Sequence, residues 1–387
     1  MNNIIESRKQ KAESRKQKAE SRKQKAESRS YYYGLDLLRI IAMFMIVMIH
    51  VLGYGGVRDE AEKLSREYNI AWLMNTASYC AVNCYAMISG YAGLFAEHRL
   101  SRLINLWFRV LFYTLSITSL TALMIPNSVG VSECLKAIFP VMSRQYWYFT
   151  AYIGLFFFMP FLNFAVNHMP EKILRESIIG IIFVFSFMQT FFYRDVFGTS
   201  KGFSVLWLMI MYVSGAYFRR SGFLERLSKS KAMFSYVMSV LIAWASKLVI
   251  EALTIHFLGA AKWGDMFTSY TSPFMICSAI CIMSFCLQCR LSSWGIKAVK
   301  FFAPLTFSVY LIHLHRFVLK YILMNRFSAY LLFSPLKFIV SLLLSALSIY
   351  VLCSLIDLLR IQIFRILRLE FVSERIEKFL LKWRSDV

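Results

Sequence analysis

The chain alternates long apolar blocks with short polar turns, and ten blocks approach the roughly 20 residues that a membrane-spanning helix needs. They fall near 34–55, 70–94, 103–125, 146–166, 176–193, 202–218, 233–255, 270–288, 301–325 and 334–358. The pattern predicts an all-α polytopic integral membrane protein with about ten transmembrane helices. An even number of crossings leaves both termini on one side. The basic residues assign that side to the cytoplasm. Ten Lys/Arg precede Gly34, seven lie from Arg360 onward, and Arg219, Arg220, Arg226, Lys229 and Lys231 follow the sixth block. The first outer loop instead carries Asp59, Glu60, Glu62 and Glu67.

Three regions follow from this pattern: a basic tail over 1–30, a transmembrane domain over 31–359, and a tail over 360–387. Residues 6–29 repeat the heptapeptide ESRKQKA. Only alanine could fill a coiled-coil seam there, and a charged stretch without large apolar residues is expected to be disordered. The heptanucleotide GCAGAAA, read continuously, encodes Ala-Glu-Ser-Arg-Lys-Gln-Lys, which is the observed unit. Slippage in such a tract would shift the reading frame and switch the protein on and off, and the next methionine, Met43, already lies inside the first block. The polar N-terminus shows no signal-peptide pattern, so the first block is expected to insert and stay. From Asp357, LLRIQIFRILRLEFVSERIEKFLLKW alternates apolar and basic residues with helical spacing, as in an amphipathic helix on the inner membrane surface.

Composition agrees: 58% of residues are hydrophobic, against about 45–50% in soluble domains. A net charge of +22 would suggest nucleic acid in a soluble protein. Here the charge sits in turns, where its partners are anionic membrane lipids, and no nucleic-acid partner is expected. Of eight cysteines, most lie in apolar blocks. Cys286-x-x-Cys289 is a lone pair without a second pair or a nearby histidine, so no metal site is expected.

The first block, GLDLLRIIAMFMIVMIHVLGYGG, carries Asp36, Arg39 and His50. A charge in hydrocarbon costs kcal/mol, which marks such residues as functional. Arg39 and His50 are eleven residues apart, which places them on one helix face and roughly 16 Å apart along the axis. Asp36, one turn away, is placed to orient Arg39. The turn Glu97–Arg102 is cytoplasmic, with Arg99 and Arg102 at the start of the third block and Arg109 two turns on. Three arginines facing one vestibule suit a multiply phosphorylated ligand, because guanidinium pairs bidentately with phosphate. His50 has the pKa range for activating a hydroxyl, either as general base or as an acyl carrier. Lys247 and Glu251 read as an internal ion pair, with acceptor binding as the alternative. Trp147 and Tyr148 read as an aromatic belt, with a sugar platform as the alternative. His313 and His315 fall in the middle of the ninth block, while His98 and His168 lie in turns and carry no further signal.

Arg39-x10-His50, followed by MISGY (87–91) and RLSRL (99–103), resembles the integral-membrane acyltransferase-3 family. YWYFTAYIGLFFFMPFLN (146–163), VSGAYFRR (213–220), YTSPF (270–274) and FSVYLIH (307–313) are similar to further family segments in the expected order, so the resemblance spans about 34–358. It implies an O-acyltransferase of a bacterial inner membrane. The donor would be acetyl-CoA from the cytoplasm, no cofactor would be permanently bound, and the acceptor would be a surface glycan or lipid-linked sugar. Lipopolysaccharide or capsule fits a switchable gene. The resemblance also implies that His50 and Arg39 are essential, that Arg99 and Arg102 hold the donor, and that His313 supports the site. The turn departs from the family pattern, with His98, Ser101 and Asn105 in place of a denser arginine run and a proline. No GDS motif of an appended hydrolase-like domain occurs, so the stand-alone form is expected. The rival reading is a transporter or flippase for a lipid-linked sugar, which buried charges and broken apolar segments would also suit. No internal repeat relates the two halves.

Overall fold

In the computed structural model, which describes residues 32–385, every regular element is helical. The heptapeptide tail expected to be disordered lies outside the described residues. The principal helices are α1 (Tyr33–Leu52), α2 (Arg66–Ser78), α3 (Ala81–Gly93), α4 (Leu100–Met124), α5 (Trp147–His168), α6 (Glu171–Phe191), α7 (Val205–Ser221), α8 (Lys229–Leu258), α9 (Pro273–Leu287), α10 (Ser293–His313), α11 (Pro335–Ile366) and α12 (Leu369–Ser385). Serines start several of them. Ser65, Ser204, Ser272 and Ser292 each accept a hydrogen bond from a first-turn amide, which satisfies a donor that the helix leaves free. Gly222 and Gly259, both at positive φ, end α7 and α8.

Seven helices are long and apolar enough to cross a membrane: α1, α4, α5, α6, α8, α10 and α11. The other three expected spans take different forms. The block at 70–94 breaks at Tyr79–Cys80 into α2 and α3, while α7 and α9 are regular but short, at 17 and 15 residues. Side-chain contacts show that the chain runs back and forth. Tyr32 packs on Tyr91 and Arg219, and Lys300 lies over Tyr33, so the start of α1 shares one end of the bundle with the ends of α3 and α7 and the start of α10. At the opposite end His50 meets His313, and Trp147 meets Tyr270.

Helix α1 is the axis of the bundle. Its apolar window is 61% buried, against 22% for α8 and 28% for α11. The peripheral helices turn apolar side chains outward, such as Phe157, Phe161 and Phe164 on α5 and Leu344, Leu352 and Leu355 on α11. These faces suit lipid rather than water. The tightest internal crossing is between α3 and α7, where Gly90 faces the Tyr212 carbonyl and Gly215 faces the Met87 carbonyl with no room for a Cβ. Small residues allow this approach, which lets packing hold helices together where no hydrophobic drive exists. Gly90→Val is therefore expected to destabilise the fold by at least the roughly 1–3 kcal/mol of an overpacked core, read as a lower unfolding temperature of the detergent-solubilised protein.

The ends of the chain differ most from the sequence pattern. The ninth span begins at Ser293 and stops at His313, so His313 and His315 sit at a helix end, not at mid-span. His315 instead caps the next turn, its Nδ1 accepting from the Phe317 amide at 3.3 Å. Helix α11 runs past the expected end at 358 to Ile366. The reason is local neutralisation. Asp357 and Arg360 pair at 2.6 Å, and the Tyr113 hydroxyl donates to the same carboxylate, so both charges are buried together. The chain turns only at Leu367–Arg368, where Arg368 has φ of 51°, and α12 then folds back on α4. Ser373 donates to Asn105 at 2.7 Å, and Glu377 accepts from the Leu100 amide at 2.6 Å, capping α4 with a carboxylate at its positive end.

Candidate functional site

Two cavities lie in line along α1. The first, about 230 Å³, opens beside Arg39 and is walled by Glu97, His98, Arg99, Arg102 and Tyr152. Asp36 pairs with Arg39 one helical turn away, as the sequence spacing predicts. Arg99 is exposed and held by Glu97 at 2.8 Å. Burial and the neighbouring Arg102 charge pull the His98 pKa below its ordinary value, with Glu377 opposing. The His98 imidazole thus joins three guanidinium groups on this wall.

Arg109 is not among them. It points to the other side of α4, toward the Pro304 carbonyl and the end of α11, and lines a separate cavity. The expectation of one vestibule for Arg99, Arg102 and Arg109 fails because Arg109, two turns further along α4, meets α10 instead: its guanidinium reaches the Pro304 carbonyl and lies over the Phe307 ring.

The second cavity, about 50 Å³, lies deeper and is walled by aromatic rings and by the aliphatic Met43, Ile46, Ile49 and Val82. His50 faces it with Tyr85, Trp147, Tyr148, Tyr270 and Tyr310. Trp147 and Tyr148 are thus cavity walls and not the expected aromatic belt. Trp147 packs against Phe203 and Tyr270, and with Tyr270 it faces the cavity. The two cavities are one helical turn apart on three helices at once. Arg39, Ser89 and Tyr152 line the first, and Met43, Tyr85 and Tyr148, each four residues away, line the second. The Tyr85 hydroxyl ties the levels together by donating to the Arg39 carbonyl at 2.8 Å.

The histidines at the far end define a proton order. His313 Nδ1 lies 2.5 Å from the Val309 carbonyl, which can only accept, so this nitrogen carries hydrogen. In a neutral ring, Nε2 of His313 is then the lone pair. It sits 3.0 Å from His50 Nδ1, which must be the donor. By elimination, His50 Nε2 holds a lone pair. The His50 ring is further steadied by stacking on Tyr54, with centroids 5.4 Å apart.

This pairing of an oriented histidine with an arginine vestibule along one helix coincides with a match over most of the chain. The family model described as an acyltransferase domain, that of the acyltransferase-3 family, matches residues 32–356. The chain belongs to the acyltransferase-3 family. No curated protein matches it, and no solved structure does.

The matched region of this acyltransferase contains every residue of both cavities. Sequence reasoning located Arg39, His50, Arg99, Arg102 and His313, but missed the aromatic shell. Tyr148, Tyr270 and Tyr310 lie in segments already singled out, so their signal was present. Tyr85 and His98 gave none, because neither spacing nor charge separates them from ordinary helix and turn residues. The pair Lys247–Glu251 lies outside both cavities. It is a buried ion pair at 2.6 Å, and Tyr68 donates to Glu251 at 2.8 Å.

Proposed function

We propose that this membrane acyltransferase is an O-acetyltransferase of a bacterial cytoplasmic membrane. It would pass an acetyl group from cytoplasmic acetyl-CoA to a hydroxyl of a surface polysaccharide or lipopolysaccharide sugar. The observation that carries the reading is the hydrogen-bonded run from His50 through His313 to the Val309 carbonyl, which leaves His50 Nε2 as the free lone pair on the helix that also carries the Arg39 vestibule. Arg39, Arg99 and Arg102 would hold the coenzyme A phosphates, with Asp36 steadying Arg39. The donor's extended arm would reach one helical turn deeper, to the aromatic cavity. There His50 Nε2 takes the proton as the sugar oxygen attacks the thioester carbon. The carbon–sulfur bond breaks, and the thiolate leaves with that proton. The same lone pair can instead attack first, giving an acetyl-imidazole that the sugar hydroxyl then resolves. His313 acts as a positioning residue in either form, holding the tautomer as second-shell partners do.

Mass spectrometry of surface glycans tests the activity. An acetyl-sized increment is expected in cells carrying the protein and absent from cells without it. Identical glycans, with a lipid-linked intermediate changed in sidedness, would favour transport. On the donor side, Arg102→Ala is expected to raise KM for acetyl-CoA by about tenfold or more, the loss of one charge-assisted contact worth roughly 1.5–3 kcal/mol, with kcat little changed. An equal fall in kcat at unchanged KM would remove Arg102 from donor binding.

A further inference from the structure

A third cavity, about 770 Å³, is the one that takes Arg109. It lies where α4, the Pro304 turn, the end of α11 and the start of α12 meet, away from both cavities along α1. Three arginines, Arg109, Arg365 and Arg368, line it, and among the described residues no carboxylate forms an ion pair with any of them. Arg360 also lines it but is neutralised by Asp357. The Arg109 Nε is buried without a hydrogen-bond partner, which leaves a donor to be satisfied. Glu370 and Glu374 stand on the α12 side, and Phe364 and Phe371 supply apolar wall.

The position of this cavity along the bundle decides what it suits. Helix α11 has 32 residues, about 48 Å at 1.5 Å per residue, whereas the hydrocarbon core is about 30 Å thick. Its last turns therefore reach headgroup depth. Ile366 and Leu367, between Arg365 and Arg368 in the chain, are 78% and 57% exposed and the wall residue Phe371 is 51% exposed, an apolar rim beside cationic side chains. A soluble phosphate would use the arginines and leave that rim in water. A phospholipid uses both.

We propose that this cavity binds the phosphodiester of a membrane phospholipid, with Arg109, Arg365 and Arg368 on the phosphate and the acyl chains along the rim. The two glutamates favour a headgroup bearing an amine, phosphatidylethanolamine over phosphatidylglycerol. The site is independent of the acyl chemistry proposed above. It bears on the Arg99–Arg102 turn only through α12, whose Ser373 and Glu377 hold the first turns of α4.

Native mass spectrometry of the full chain released from nanodiscs tests it. With phosphatidylethanolamine nanodiscs, one retained lipid per protein is expected. Arg365→Glu with Arg368→Glu is expected to lower retention at least tenfold. Both side chains are exposed, so an unchanged unfolding temperature separates lost binding from lost fold. Glu370→Gln with Glu374→Gln is expected to shift preference toward phosphatidylglycerol. Equal retention by wild type and the arginine variant would overturn the site. Displacement of the lipid by coenzyme A, or by inorganic phosphate at the same concentration, would overturn the lipid assignment and make the cavity a soluble-phosphate site.

Discussion

His50→Ala is expected to lower acetyl transfer by about 10²–10⁴-fold, the range general-base catalysis contributes, with KM for acetyl-CoA little changed. The geometry requires this separation. The donor's phosphates would meet Arg39 and Arg102 at one end of the α1 groove, and His50 lies three turns away, so its loss removes chemistry and leaves donor binding. His313 provides the finer test. His313→Phe keeps a ring but removes the acceptor for His50 Nδ1–H, which frees His50 to rotate or to hold its proton on Nε2. A fall in kcat of about 10–100-fold is expected, as for lost partners of oriented histidines. His313→Gln, whose side-chain carbonyl can still accept, is expected to recover part of it. A His313→Phe enzyme with wild-type kcat would end the relay argument. Incubation with acetyl-CoA and no acceptor then separates the two chemical routes. An acetyl-sized increment on His50 would establish the acyl carrier, and its absence would leave the general base.

The fold class was legible because lipid imposes a one-dimensional rule: apolar blocks of sufficient length become helices wherever the backbone must satisfy itself. The Arg39–His50 line was legible for the same reason, since two residues on one straight helix obey its angular period. What failed was whatever depended on a neighbouring helix. The end of α11 moved from 358 to 366 because Tyr113, on α4, completes the Asp357–Arg360 pair. Arg109 left the vestibule because the Pro304 carbonyl and the Phe307 ring, both on α10, take its guanidinium. Trp147 and Tyr148 read as a belt because belt and cavity wall have the same composition, and only the packing of Tyr270 and Phe203 on Trp147, and of Tyr85 and Tyr310 on Tyr148, distinguishes the two. His313 was found through a segment resemblance, and its role needed the carbonyl of Val309, which no side-chain pattern encodes.

The second large effect concerns stability. Lys247 and Glu251 are 2% and 5% exposed, and they hold each other one turn apart on α8. Lys247 also lies 3.5 Å from the centre of the Trp72 ring, while Arg58 approaches the same ring, so the pair clamps α8 to α2 and to the loop after His50. Lys247→Met leaves the Glu251 carboxylate buried with only the Tyr68 hydroxyl for company, and removal of one partner of a buried pair costs about 3–5 kcal/mol. A large drop in unfolding temperature is expected. Lys247→Met with Glu251→Leu removes both charges, and such replacements are often neutral or better. Most of the lost stability should therefore return, read by thermal unfolding of the detergent-solubilised protein for both variants. Activity then decides what the pair is for. A stable double variant that still acetylates marks the pair as a clamp between helices. A stable double variant that binds acetyl-CoA normally but no longer acetylates would put acceptor binding on this pair, which stands clear of both α1 cavities and faces the end of the bundle where His50 works.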